Sequence, residues 1–85
     1  MCQKESKVSQ HFVETPDATY VYGYDYPLQE YFMYVETAED VLPLVGMLAS
    51  NAGTRGDMLE ALAEHGITDL LPNEHINALA LDLPF

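Results

Sequence analysis

Three histidines, one cysteine, three serines and fourteen carboxylates are the first side chains to test for chemistry in this chain of 85 residues. Zinc takes His and Cys ligands in close pairs. His11, His65 and His75 offer no such pair, since no two of them stand at i, i+3 or i, i+4, and Cys2 is remote. The plainer reading is surface or helix-end histidines, and His65, just before Gly66, suits the negative end of a helix. A nucleophile needs a base and a third group to hold the base. Ser6, Ser9 and Ser50 stand in no Gly-x-Ser-x-Gly context, and Cys2 lies in the first residues. Gly23, Gly46, Gly53, Gly56 and Gly66 are dispersed, so none opens a phosphate-cradling loop. Calcium would want an Asp-x-Asp-x-Asp-Gly loop, and there is none. Arg55-Gly56-Asp57 spells the integrin tripeptide, but a three-residue match in the first turn of a helix is a chance event. The expectation is a protein that is not an enzyme and that holds no metal and no cofactor.

The carboxylates form the constellation that remains. Asp25 and Glu30 flank a short connection, with Tyr26 inside it. Glu36, Glu39 and Asp40 cluster further on. Asp57, Glu60 and Glu64 stand at i, i+3 and i+7, which on a helix is one line about 10 Å long. Like charges so close are destabilising unless something external neutralises them. A solvated acidic face is the plain reading. The functional reading is a set of carboxylates shaped for a basic groove, with Asp25, Tyr26, Glu30, Glu36, Glu39 and Asp40 as the contact surface and the helical line as the second one.

Net charge gives that reading its weight. The chain carries −11, and from Val8 to Phe85 Arg55 is the one fixed cation against thirteen acids, the fourteen of the whole chain less Glu5. Such a chain repels itself in the compact state and is drawn fast to basic surfaces. It is nonetheless 48% hydrophobic, with six Tyr and three Phe, so it is no disordered acidic tail. A domain of this size buries about 60–65% of its unfolded surface, enough for one modest core. A lone cysteine builds no disulfide framework. The first residues lead into no apolar run, so no signal peptide is expected. No stretch is long and apolar enough to span a bilayer, and anionic headgroups repel this charge. Direct binding to nucleic acid is opposed as well, because it relies on Lys and Arg. These points predict a soluble, cytoplasmic protein with no membrane partner and no direct nucleic-acid partner.

The elements that would position these groups read as follows. Residues 1–7 form a loose polar tail, and residues 8–85 form one α+β domain. Val8 to Glu14 alternates weakly, as a strand would. Thr15-Pro16-Asp17-Ala18 is a turn. Thr19 to Tyr24 is a strand that places Tyr20, Tyr22, Tyr24 and Tyr26 on one face. Pro27 blocks a helix, so Asp25 to Gln29 connects to a further strand, Glu30 to Val35. The period then changes. Val41, Leu44, Val45, Leu48, Ala49 and Ala52 fit one helical face, capped near Asp40 with Pro43 in the first turn and Gly53 as the stop. Thr54-Arg55-Gly56-Asp57 resembles a capping box that opens a helix to His65, with Met58, Leu59 and Leu62 inward and Gly66 as its end. Ile67 to Leu71 connects to a last helix opened by Pro72 and Asn73, with Ile76, Leu79, Ala80 and Leu83 as its apolar stripe. The expected architecture is a small antiparallel sheet of two or three strands followed by three short helices. A helix-turn-helix reading of the last two fails on charge, because residues 56–85 hold no Lys or Arg.

In size and charge the chain resembles the small acidic inhibitors that phages and plasmids carry against host nucleases, of the anti-CRISPR or antirestriction type. The resemblance is one of type, since that class shares no motif. It implies a DNA mimic: steering to a Lys- and Arg-lined channel, then locking by tyrosine contacts. The alternative is a structural or regulatory adaptor, or a homodimeric accessory protein, joined through the tyrosine-rich sheet. Tyrosine suits either role, as core or as contact area with a polar tip.

Overall fold

Tyr20, Tyr22, Tyr24 and Tyr31 face one way across two neighbouring strands, and covering that aromatic surface organises the rest of the chain. The computed structural model describes residues 9–46 and 49–85. Residues 1–7, expected as a loose tail, lie outside them. Strands β1 (His11–Glu14), β2 (Thr19–Asp25), β3 (Glu30–Glu36) and β4 (Val41–Val45) form one antiparallel sheet in the order β1-β2-β3-β4. Helix α1 (Arg55–His65), a 3-10 turn (Thr68–Leu70) and helix α2 (Asn73–Ala80) follow. The class is α+β, with four strands and two α-helices among the described residues rather than two or three strands and three helices.

Each turn is closed by the residue types that favour it. Thr15 takes a backbone bond from its own amide to the Ala18 carbonyl and accepts the Ala18 amide on its hydroxyl. Asp25 Oδ1 accepts the Leu28 amide at 3.2 Å and shapes the β2–β3 hairpin. Thr37 does the same for the β3–β4 turn, with the Asp40 amide on its hydroxyl at 3.2 Å.

Among the described residues the helix expected from Asp40 to Ala52 is not formed; Val41–Val45 is strand β4. Five apolar residues in a row fit a strand as well as a helix, so periodicity alone does not separate them. The free edge of β3 decides it. Pro43 lies on an outer strand, where a missing amide breaks no inner ladder. A bulge helps: Met33 pairs with Val45 but Tyr34 pairs with Pro43, which leaves Leu44 as the extra residue. Beyond β4, Asn51 gathers the chain. Its Oδ1 accepts the amides of Gly46 at 2.7 Å and Gly53 at 3.1 Å, and its Nδ2 donates to the Leu44 carbonyl. The Gly53 carbonyl then accepts the Tyr31 amide at 2.8 Å, so this loop extends the edge of β3. Leu48, expected on the helical stripe, is outside the described residues.

Helix α1 starts and stops where expected. The Thr54 hydroxyl accepts the Asp57 amide and the Asp57 carboxylate accepts the Thr54 amide, a reciprocal capping box. Gly66 ends the helix in the left-handed region. Met58 and Leu62 face inward, but Leu59 is exposed and Ala61 takes the inner place. Helix α2 is shorter than expected. Asp82 adopts φ +59, and the Asp82 and Leu83 amides return to the carbonyls of Leu79 and Ala78, closing the helix before Leu83. His75 and Leu79 are its buried residues, whereas Ala80 and Leu83 are exposed.

The core lies between the sheet and the helices. Val13, Tyr20, Tyr22, Tyr31, Met33, Val35 and Val45 meet Met58, Ala61, Leu62, Ile67, Leu71 and Leu79 there. On the opposite face, the chain just before β1 comes close to β2 at Gly23. A Cβ at that position would stand 2.0 Å from the Ser9 carbonyl oxygen. A Cβ on Gly66 meets nothing within 4 Å, although Gly66 has φ +67. Gly66→Ala should therefore cost about 1–2 kcal/mol, the left-handed penalty alone. Gly23→Ala should cost more, because backbone must move. Thermal melts of the two variants check this, at about 4–8 °C per kcal/mol for a domain of this size. Equal melting losses would show that Ser9 does not approach Gly23.

Candidate functional site

The sheet separates the carboxylates that the sequence suggests as one patch. Asp25 and Glu30 are cross-strand partners at the hairpin end of β2 and β3. Glu36 ends β3 at the other side, and Glu39 and Asp40 are exposed in the turn that follows. Six residues of extended chain place Glu30 and Glu36 about 20 Å apart. Asp25, Tyr26 and Glu30 therefore form one group, and Glu36, Glu39 and Asp40 another. Asp17, in the β1–β2 turn, joins the second group, because Thr15 to Thr19 and Glu36 to Ala38 line a shared surface groove.

Helix α1 runs between the two ends. Its N-terminal residues Thr54 to Gly56 line a cleft of about 490 Å³ with Tyr24, Gln29 and Tyr31, near the hairpin. At its other end His65 Nδ1 lies 3.2 Å from Tyr20 Oη, and Tyr20 neighbours the Thr19–Glu36 pair. Asp57, Glu60 and Glu64 thus mark a line from one acidic end towards the other. Glu60 and Glu64 are exposed; Asp57 is half-buried and engaged in the cap. Arg55, the only Lys or Arg among the described residues, donates Nη1 to the Ala80 carbonyl at 2.9 Å. Its charge is thus tied to the end of α2.

The tyrosines play a different part. Tyr20 and Tyr22 are core, Tyr24 is half-buried, and Tyr26 is exposed, with its hydroxyl 3.4 Å from the Phe85 carbonyl. The row is consequently covered by the chain's own helices and tail, and Tyr26 is its one exposed member. Tyr31, from the next strand, donates to the Leu83 carbonyl at 2.8 Å. Burial and the Asp82 carboxylate push the Tyr31 phenol up to about 12.

Sequence spacing gave no sign of a buried His11, His75, Tyr22 and Phe85 cluster. The rings of His11 and His75 lie 4.2 Å apart, and Phe85 packs against both. Tyr22 Oη and His75 Nδ1 are 2.6 Å apart. Burial pushes the Tyr22 phenol up to about 12, so it keeps its proton. Burial lowers the His75 value first, the neighbouring His11 lowers it further, and Glu74 opposes both. The neutral pair is favoured on both sides. The signal that could have found it is register: His11 lies opposite Tyr22 once β1 and β2 pair. The cluster could pass a proton, but Tyr22 is 1% exposed and His75 9%, which closes it to a substrate. Among the described residues no three His, Cys, Asp or Glu side chains gather as metal ligands, and no helix is long and apolar enough to cross a membrane.

His75 makes folding sensitive to acid. The unfolded chain binds a proton on His75 at higher pH than the folded one does, so the unfolded state holds more protons in that window. Stability is therefore full above the ordinary histidine value of 6.5 and falls as the pH drops below it. The urea midpoint should decrease between about pH 7.5 and about pH 5.5, and His75→Gln should flatten that slope. Identical slopes in the two proteins would remove His75 from the account.

No family model, no curated protein and no solved structure matches this chain.

Proposed function

We propose that the protein is a non-enzymatic acidic inhibitor acting in the cytoplasm. It occupies the basic nucleic-acid-binding surface of a host defence nuclease complex and keeps target DNA out, as an anti-CRISPR-like DNA mimic. One observation carries the reading: thirteen carboxylates among the described residues face a single fixed cation, Arg55, whose guanidinium is held on a backbone carbonyl. A surface that leaves its own charge so uncompensated gains most from a partner that supplies the opposite sign.

The arrangement supports the reading in two further ways. The acidic ends of the sheet lie about 20 Å apart, the scale of a channel wall rather than of a single pocket. Along α1, the steps from Asp57 to Glu60 and from Glu60 to Glu64 rise about 4.5 and 6 Å. A row of separated anions meets a row of Lys and Arg as a phosphate backbone does. Long-range attraction supplies the encounter rate, and contact residues set the residence time. Tyr26 is the tyrosine available for that contact. The homodimer alternative through the tyrosine face loses its support, because Tyr20, Tyr22 and Tyr31 are covered by the chain's own elements.

The test is a tagged pull-down from bacterial lysate, eluted by rising salt, with partners identified by mass spectrometry. A nucleic-acid-binding complex should leave between about 0.1 and 1 M salt, as screening shortens to a few ångströms. A companion variant carries Glu36→Lys, Glu39→Lys and Asp40→Asn. Asparagine keeps the Oδ1 that accepts the Val41 amide at 2.7 Å, so the turn survives. Its affinity for the captured complex should fall about tenfold or more at low salt. Its melting temperature should stay near that of the parent, as surface substitutions allow. Unchanged affinity would remove that end of the sheet from the contact, and recovery of a salt-indifferent partner would sink the mimic reading.

A further inference from the structure

The sheet has a second face, turned away from the helices. Cross-strand partners share a face, so the register places Phe12, Val21, Tyr34 and Pro43 in one row across all four strands. With neighbouring strands about 4.8 Å apart, that row is about 14 Å long. Phe32 lies beside it, with its ring tip 2.9 Å from where a Cβ on Gly23 would stand. Val21 is itself buried, at 1% exposed, so the open apolar surface of this face is Phe12, 62% exposed, with Val41 at the edge. Tyr34, Phe32 and Pro43 are half-buried.

Carboxylates bracket this strip on the same face. Glu14 and Glu36 occupy the next row on one side, with Thr19 between them and Val41 at the edge. Asp25 and Glu30 stand as a pair on the other side. Among the described residues no Lys or Arg lies on this face. A second copy would therefore bring four carboxylates against four, a like-charge contact that costs affinity.

We infer that the face of the sheet opposite the helices is a docking surface for a segment of a partner protein with an apolar centre and Lys or Arg on both flanks. Its apolar residues cover Phe12 and the half-buried Tyr34 and Phe32, and its cations meet Glu14 and Glu36 on one side and Asp25 and Glu30 on the other. The inference rests on the acidic-inhibitor reading and narrows it: the partner's basic surface presents an apolar anchor between its cations. Burial of the strip gives a part of the affinity that salt does not screen.

Two fluorescent peptides of equal charge test this. One has Lys at both ends and Leu and Phe at its centre; the other has Lys at the same places and Gly and Ser between. Anisotropy gives affinity, and amide chemical-shift mapping gives location. The apolar-centred peptide should bind about tenfold tighter or more, as an apolar anchor in a contact centre does. Its shifts should gather at Phe12, Val21, Phe32 and Tyr34. Phe12→Ser, at an exposed site, should abolish the preference without lowering the melting temperature. Equal affinity for both peptides, or shifts confined to α1, would overturn the inference and leave the charge reading standing. Failure of both peptides to bind would overturn both readings. Preferential binding that appears only after residues 1–8 are removed would also overturn it, by making that segment the occupant.

Discussion

A phenol buried in a sheet must find a partner for its hydroxyl or lose stability by about 1–3 kcal/mol. In this protein that demand ties both helices and the last residues to the strands. Tyr20 reaches His65 at the end of α1, and Tyr22 reaches His75 on α2. Tyr31 reaches the Leu83 carbonyl, and Tyr26 lies within reach of the Phe85 carbonyl. The aromatic bodies supply the apolar area, while the hydroxyls fix where the helices and the tail sit. A sheet face of Val and Ile would bury as well but would leave the helices freer to slide. The edge-to-face packing of Tyr24 against Tyr26 and Tyr31 continues this surface to its end.

Cohesion inside and repulsion outside are thus arranged separately. Almost all of the charge lies on turns, strand ends and the outer side of α1, where water screens it. The buried side chains are apolar but for His75, which is held neutral by its surroundings. Acid weakens this balance from within, because burial opposes a proton on His75 that the unfolded chain accepts. Arg55 does little to offset the field. Its value is local, as a clasp between the start of α1 and the end of α2.

Local chemistry was the part of the fold legible in the sequence. Tyrosines two apart fixed β2, Pro16 and Asp25 marked turns, and Thr54 with Asp57 and Gly66 bounded α1 to the residue. What escaped depends on partners distant in sequence. Val41 to Val45 is apolar at every position, so only the free edge of β3 makes it a strand. Asp82 stops α2 by a left-handed turn that its residue type permits but does not announce. Asn51 fell within the expected helix and instead lies in a loop, where it joins three stretches of backbone. The candidate carboxylates were legible as exposed groups, but not their division. Glu30 and Glu36 are close in sequence and far apart in space, because a strand is the longest way to join two points. Conversely, Phe12 and Pro43 share a surface that only the completed register brings into being.

The order of strands along the sheet is the order along the chain, and this has a consequence for how the protein forms. Each strand pairs only with the one made just before or after it, through turns of a few residues. The entropy lost in closing each loop is small, and contacts between sequence neighbours favour rapid folding. A chain this acidic gains little from an early general collapse, since its parts repel one another over long distances. Hairpins formed one after another avoid that difficulty, because each closure joins residues already near each other. The helices lie farther along the chain, and packing them on the sheet closes longer loops than the hairpins do.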